Sequence, residues 1–428
     1  VASLFVSDDE RLMKERLAMA QRISTGTCSC VLSVTVFLCG VLFADLERGA
    51  LAEETAETEG SVLSLGTKLN LSLSGYVEAS YTQNFNNPKD GVNQHRSFDG
   101  DANSFRPNMA QIVLERAAKT QGSWKDRTGF RVKLNVGEDA KFTGGDGGDE
   151  EFDFQETYLQ FVAPSGNGIT LQAGRMNTLI GYEVIESPLN PNFSRSFLFG
   201  MGEPFTVTGV RASYDFTDQV SFAVSAINSF TGSQVDENNS KSVEALLAYT
   251  PMDNVSVSLF GFWGPEGERN TSDETDRVLV GGILDVQVTD QAEVVLEGYY
   301  GNRANNTRGM NARWNGLAGY VMYDFTDSWG LRVRTEVFED AAGAFACDGS
   351  GGAAGNALHC AEGWEVRYDD NGEQTLWETT WTLQYRPVQD FIARLEYRYD
   401  KSNKDSFWDG SVYGNNQSTL AVEAIYLF

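Results

Sequence analysis

The chain has 428 residues, 41% of them hydrophobic and 12% aromatic, with 43 glycines and only 9 prolines. That composition excludes a bundle of membrane-spanning helices, because each helical span needs about twenty mostly apolar residues and only one stretch comes near that. Sixty acidic against 33 basic residues, a formal charge of −27, also argue against a nucleic-acid partner, whose phosphates would be repelled.

The one apolar stretch, residues 31–44, has the length of a signal-peptide core. Met13, Lys14, Arg16 and Arg22 precede it as a positive region, and Ala50-Leu51-Ala52 offers a cleavage site before Glu53. Residues 1–52 are therefore expected to be an export signal that starts at Met13 behind an overrun. A membrane-anchoring N-terminus is the alternative. Cys28, Cys30 and Cys39 would leave with the signal. Residues 53–66 then read as a periplasmic linker and 67–428 as a transmembrane antiparallel β-barrel.

From residue 69 onward, lipid-like and aqueous side chains alternate with period two. Leu69, Leu71, Leu73, Gly75, Val77, Ala79 and Tyr81 interleave with Asn70, Ser72, Ser74, Tyr76, Glu78, Ser80 and Thr82. Strands are expected near 69–83, 104–118, 127–139, 152–163, 168–178, 205–215, 219–229, 242–250, 254–263, 276–288, 291–302, 311–325, 328–340, 374–386, 390–400 and 416–428. The strand at 152–163 alternates poorly. Sixteen strands normally enclose an aqueous channel. Tyr214-Asp215-Phe216-Thr217-Asp218 and Tyr323-Asp324-Phe325-Thr326-Asp327 are near copies that mark short turns, which face the periplasm in such barrels. The last strand places Leu420, Val422, Ala424, Tyr426 and Phe428 on one face, and Tyr426 and Phe428 look like an outer-membrane insertion signal.

Inward positions carry mixed charge. Arg131, Lys133, Arg332, Arg334, Arg386, Arg394 and Arg398 are the expected lumen wall, joined by Glu336, Glu378 and Glu396. Cys347 and Cys360 flank a small-residue stretch and read as a disulfide in the seventh outward loop; with His359 nearby, metal binding is the weaker reading. The acidic run 146–151 reads as a solvated loop before a calcium site, since its spacing matches no defined calcium loop. His95 and His359 both fall in expected surface loops and read as solvated. No catalytic, cofactor or metal site is expected, and the chain is not read as an enzyme.

Residues 181–196 (GYEVIESPLNPNFSRS), followed by FLFG at 197–200 and EPFT at 203–206, resemble the OmpL-like beta-barrel porin-2 family, as do SGYVEASY at 74–81, residues 130–140 and GVRASY at 209–214. The resemblance implies a barrel with porin activity and brings no catalytic residues. Residues 179–204 join the fifth and sixth expected strands and are too apolar for a free surface loop: Ile180, Tyr182, Val184, Ile185, Leu189, Phe193, Phe197, Leu198 and Phe199 accompany three prolines. The segment is expected to fold into the lumen, with Glu183, Glu186, Arg195 and Glu203 forming a pore constriction. Its carboxylates would face Arg131, Lys133, Arg394 and Arg398 across a narrow gap. An apolar contact between subunits is the alternative.

The sequence thus points to an outer-membrane porin of a Gram-negative bacterium, passing small hydrophilic solutes by diffusion. A surface receptor or adhesin barrel with a plugged lumen is the competing reading. The implied partners are outer-membrane lipids and lipopolysaccharide, the barrel assembly machinery, small solutes and further copies in a homotrimer.

Overall fold

Alternation of this kind has one stable outcome in a bilayer: a closed sheet whose backbone groups all pair and whose apolar face meets lipid. The computed structural model describes residues 70–143, 151–230, 232, 236, 238–266, 275–304, 312–341, 373–409 and 411–428. The signal and linker, the calcium candidate apart from Glu151, His359 and the Cys347–Cys360 pair lie outside them.

The barrel strands are β1 (Ser72–Asn84), β2 (Ser104–Arg116), β3 (Thr128–Val136), β4 (Phe152–Ala163), β5 (Ile169–Asn177), β6 (Thr206–Asp215), β7 (Val220–Ile227), β8 (Ser242–Met252), β9 (Val255–Glu266), β10 (Thr275–Thr289), β11 (Ala292–Arg303), β12 (Ala312–Asp324), β13 (Trp329–Asp340), β14 (Gln374–Val388), β15 (Phe391–Ser402) and β18 (Asn416–Leu427). Each pairs antiparallel with its neighbour in sequence, and β18 closes the ring on β1 with Tyr76 opposite Leu427 and Asn84 opposite Thr419. A two-residue ribbon, β16 (Phe407–Trp408) with β17 (Tyr413–Gly414), and a single helical turn, α1 (Ala140–Thr143), decorate the long loops. Neither was legible in the alternation.

Outward positions are apolar and exposed, as at Leu259, Leu296, Leu317, Val321, Leu395 and Val422. Phe216, Tyr249, Tyr323, Phe325, Trp329, Tyr426 and Phe428 gather at the short-turn end, where aromatic rings suit the membrane interface. The repeated turns share one hydrogen-bond pattern. Phe216 and Thr217 donate their backbone N–H groups to the Val220 carbonyl at 2.9 and 3.3 Å, and Phe325 and Thr326 donate theirs to Trp329 at 2.9 and 3.2 Å. The threonine hydroxyl in each turn caps the following amides.

The weak alternation of β4 has a local cause. Lys133 pairs with Glu156 but Leu134 with Phe154, so Gln155 is a bulge residue and both Gln155 and Glu156 are buried on the inner side. A second irregularity in β2 accommodates Pro107 and Asn108 between the Ser80–Arg106 and Glu78–Met109 pairs, which spares the proline a ladder donation it cannot make.

At the seam, Phe428 and Gly75 exchange both backbone hydrogen bonds at 3.0 Å, and the Phe428 ring lies outside, close over Gly75. Phe428→Asp places a charge in this lipid-facing row beside the closing strand pair. We expect a several-fold drop in heat-modifiable barrel recovered from the outer membrane, read by gel mobility, with the unfolded chain accumulating instead.

Candidate pore and its infolded loop

Residues 178–205 leave β5, cross the lumen and return to β6; the Thr178 amide and the Phe205 carbonyl close the base at 3.2 Å. Pro188 opens a 3-10 turn at Ser187–Leu189, and a π turn follows at Leu198–Gly202. Gly181 is required at the first bend. Its φ is +89°, and a Cβ there would lie 1.8 Å from Glu203 Oε2. Gly202 has a steric reason: a Cβ would lie 2.0 Å from the Tyr299 hydroxyl, which donates to the Leu198 carbonyl at 2.7 Å.

An irregular segment inside a barrel must find partners for its backbone groups, and wall carboxylates supply them. Glu244 on β8 accepts from the Leu179 amide (3.2 Å) and the Thr178 hydroxyl (2.8 Å). Glu297 on β11 accepts from the Tyr182 amide at 2.9 Å. Glu336 on β13 takes the amides of Phe197 and Leu198 at 2.5 and 3.1 Å. Glu396 on β15 takes those of Phe193 and Ser194 at 2.7 and 3.0 Å. Glu423 on β18 accepts from the Ser187 hydroxyl. These bonds satisfy otherwise orphaned donors, so the loop has one register in the barrel.

Five of the seven expected wall cations converge on this assembly. Arg334 binds Glu183 (2.7 Å), Glu378 (2.8 Å) and the Ser194 carbonyl (2.6 Å). Lys133 binds Glu186 at 2.5 Å and Glu156 at 2.9 Å, while Arg131 bridges Glu115 and Glu156 beside it. Arg394 binds Glu423 (2.9 Å) and the Asn190 carbonyl (2.7 Å). Arg398 pairs with Asp400 at 2.6 Å, donates to the Arg195 carbonyl and lies over the Phe197 ring. Arg332 and Arg386 do not join them: Arg332 pairs with Asp324 and Arg386 donates to the Gln389 carbonyl, both near the short turns.

The expected gap between an acidic loop edge and a basic wall needs correcting at these pairs. Glu183 and Glu186 touch Arg334 and Lys133 directly, because the loop crosses the full lumen instead of stopping short of the wall. Glu203 is no acidic edge either; burial, with Glu297 and Glu183 nearby, pushes its carboxyl well above the usual range. Arg195 turns its guanidinium into the loop, donating to the carbonyls of Val184, Phe193 and Ile185 at 3.0, 2.6 and 2.7 Å.

The two halves of the lumen differ. Facing β9 to β13, Ile180, Phe197, Leu198 and Met201 pack on Phe260, Phe262, Leu279, Val295, Trp314, Tyr320 and Phe338 in one buried apolar cluster. The inward face of β1 is polar, with Glu78, Ser80, Thr82 and Asn84 following Tyr76.

Residues 85–103 also fold inward, which their polar composition did not suggest. Arg96 binds Asp400 and Asp99, and Phe98 meets Phe142, Phe199 and Phe205 with centroids 5.4 to 5.9 Å apart. His95, expected to be solvated, is buried with its ring edge-on to Phe407 at 5.3 Å. Burial lowers its pKa to about 4 despite the neighbouring Asp400. Above the ordinary value of about 6.5 both folded and unfolded chains hold neutral imidazole, and nothing is lost. As pH falls from there toward 4, only the unfolded state gains the proton, so stability falls, by about 3 kcal/mol at the lower limit. His95→Gln is expected to flatten this pH dependence of the melting temperature.

Residues 70–428 match the family model described as "Putative beta-barrel porin-2, OmpL-like". The chain belongs to this porin family. It is an outer-membrane channel through which small solutes diffuse, in a Gram-negative bacterium. No curated protein matches this porin. Among solved structures, its barrel is similar to the outer membrane channel DcaP of Acinetobacter baumannii (16% identity, 84% of this chain and 97% of that one, TM-score 0.53). It is also similar to an anion-selective porin from Comamonas acidovorans (11%, 84% and 99%, 0.51) and to the trimer form of OmpT, an outer membrane protein of Vibrio cholerae (12%, 84% and 99%, 0.51). At such identities the likeness concerns the fold.

Proposed function

We propose that the infolded loop is the pore constriction, with Glu183, Glu186, Arg195 and Glu203 fixing its shape. The observation that carries this is the set of wall carboxylates, Glu244, Glu297, Glu336 and Glu396, each holding loop amides inside the lumen. A segment held at so many points sets a fixed cross-section, which suits passive sieving by size and hydrogen bonding.

The porin acts as a channel and not as an enzyme. Buried against Phe407 and next to Gln374, His95 has the surroundings of a packing residue. The OmpT trimer supports a homotrimer here, and the aromatic row from Phe216 to Phe428 supports contact with outer-membrane lipid, with lipopolysaccharide at the long-loop end. Swelling of liposomes carrying the purified protein, in a graded series of sugars and organic anions, tests the reading. Rates that fall with solute size are expected; no swelling with any solute would favour a plugged display barrel.

A further inference from the structure

The short turns of the barrel are alike except at one place. Residues 164–168, 216–219, 253–254, 290–291, 325–328 and 389–390 contain no lysine or arginine, and Asp218, Asp253, Asp290, Asp327 and Asp390 make most of them acidic. Residues 117–127, between β2 and β3, form a longer and basic turn. Together with Arg116 they carry Lys119, Lys125 and Arg127 against Asp126 alone. Lys119 and Lys125 are exposed, and neither has an ion-pair partner among the described residues. The turn holds these cations in a fixed arrangement through its own hydrogen bonds. Asp126 accepts from the Ser123 amide (2.9 Å) and hydroxyl (2.6 Å), the Lys119 amide donates to the Asp126 carbonyl at 2.8 Å, and Arg116 donates to the Lys125 carbonyl at 2.8 Å.

Trp124 shows which side of the wall this turn serves. Its ring is 73% exposed and lies on Phe161, with centroids 4.5 Å apart. Phe161 follows the exposed Leu159 on the outer face of β4, opposite Thr128, and Arg116 follows the exposed Leu114 on the outer face of β2, opposite Phe130. The indole therefore folds back over the lipid-facing wall across the end of β3. Tryptophan in such a position sits at headgroup depth, and the short turns of outer-membrane barrels lie at the inner leaflet. A water-soluble partner would meet the lysines but not the Trp124–Phe161 face. A molecule with both a phosphate and acyl chains meets both.

We infer that the β2–β3 turn is a binding site for an anionic phospholipid of the inner leaflet, with the phosphate among Arg116, Lys119 and Lys125 and the acyl chains against Trp124, Phe130 and Phe161. The basic side chains attract the headgroup's net negative charge at the membrane surface. A zwitterionic headgroup gains less, because its own ammonium meets the same cations. The aspartate-bearing turns elsewhere on this rim repel the anionic headgroup, which confines it to the β2–β4 sector. Every residue of the site lies outside the lumen, so the inference is independent of what passes through the channel.

Quenching of tryptophan fluorescence by brominated lipid reads contact with acyl chains and tests the site. The protein, shown to be folded by heat-modifiable gel mobility, is reconstituted in phosphatidylethanolamine vesicles with a minor share of brominated phosphatidylglycerol or, in parallel, brominated phosphatidylcholine. The Trp124 signal is the difference between the unaltered protein and Trp124→Phe. Phosphatidylglycerol is expected to quench it about three- to tenfold more effectively than phosphatidylcholine at low ionic strength, and Lys119→Gln combined with Lys125→Gln should abolish the preference. Added salt should weaken it. Trp329, which lies on Tyr385 at 4.4 Å beside the acidic 325–328 turn, is the internal control, read through Trp329→Phe; the two lipids should quench it equally. Equal quenching of Trp124 by both lipids, or a preference unchanged in the double lysine variant, overturns the site. Protection of Trp124 from both lipids while Trp329 is quenched also overturns it, by placing a second copy of the chain on the patch.

Discussion

Arg334→Ala is expected to be the most destabilising single substitution in the lumen. The guanidinium is fully buried between Glu183 on the loop and Glu378 on the wall, at 2.7 and 2.8 Å, and it also holds the Ser194 carbonyl. Its removal leaves the buried Glu183 carboxylate without its counter-charge, leaves Glu378 only the Arg398 guanidinium at 3.6 Å, and frees the middle of the loop. Breaking a buried pair in this way costs about 3–5 kcal/mol. Arg332→Ala, two residues earlier on the same inward face, provides the contrast. Its partner Asp324 is about half exposed, so the change should stay within about 1 kcal/mol. Urea titration of both variants in lipid vesicles checks the difference; equal midpoints would show that the loop is not held through Arg334.

Replacing residues 183–200 by a short Gly/Ser linker should have the largest effect on transport. All sixteen barrel strands pair through their own ladders, and none uses the loop as a ladder partner, so the barrel should still form. The excision removes the segment that spans the lumen and the apolar contact of Phe197 and Leu198 with the β9 to β13 wall. Single-channel conductance is expected to rise several-fold. The wall carboxylates Glu336 and Glu396 would then face water, together with Arg334 and Lys133, which lose Glu183 and Glu186. Unchanged conductance in a folded variant would place the narrowest point elsewhere, residues 85–103 being the next candidate.

The strands were legible because lipid and water impose opposite demands on successive side chains, so faces and ends can be read locally. β4 was the exception for an equally local reason, since the bulge at Gln155 puts two successive residues on the inner side. The infolding of 178–205 was legible from apolar content alone. Its attachments were not. Glu244 meets Leu179 across 65 positions and Glu423 meets Ser187 across 236, and alternation tells which face a glutamate occupies without telling what stands opposite. Among the anchors, Glu244, Glu297 and Glu423 were missed, although each is a carboxylate on an inward face of its strand, which is the signal that could have found them. The inward fold of 85–103 was hidden for the opposite reason: its Asn, Asp and Gly content reads as solvated, yet the Arg96–Asp400 pair and the Phe98 contacts bury it.

Single-channel recording of the purified protein in planar bilayers tests the central claim, a solute channel narrowed by a wall-anchored loop, most directly. Discrete conductance steps of uniform size are expected on insertion, smaller than those of the loop-excised protein recorded under the same salt. Folded, inserted protein that gives no steps, while the excised form conducts, would contradict the account by making the loop a plug instead of a constriction.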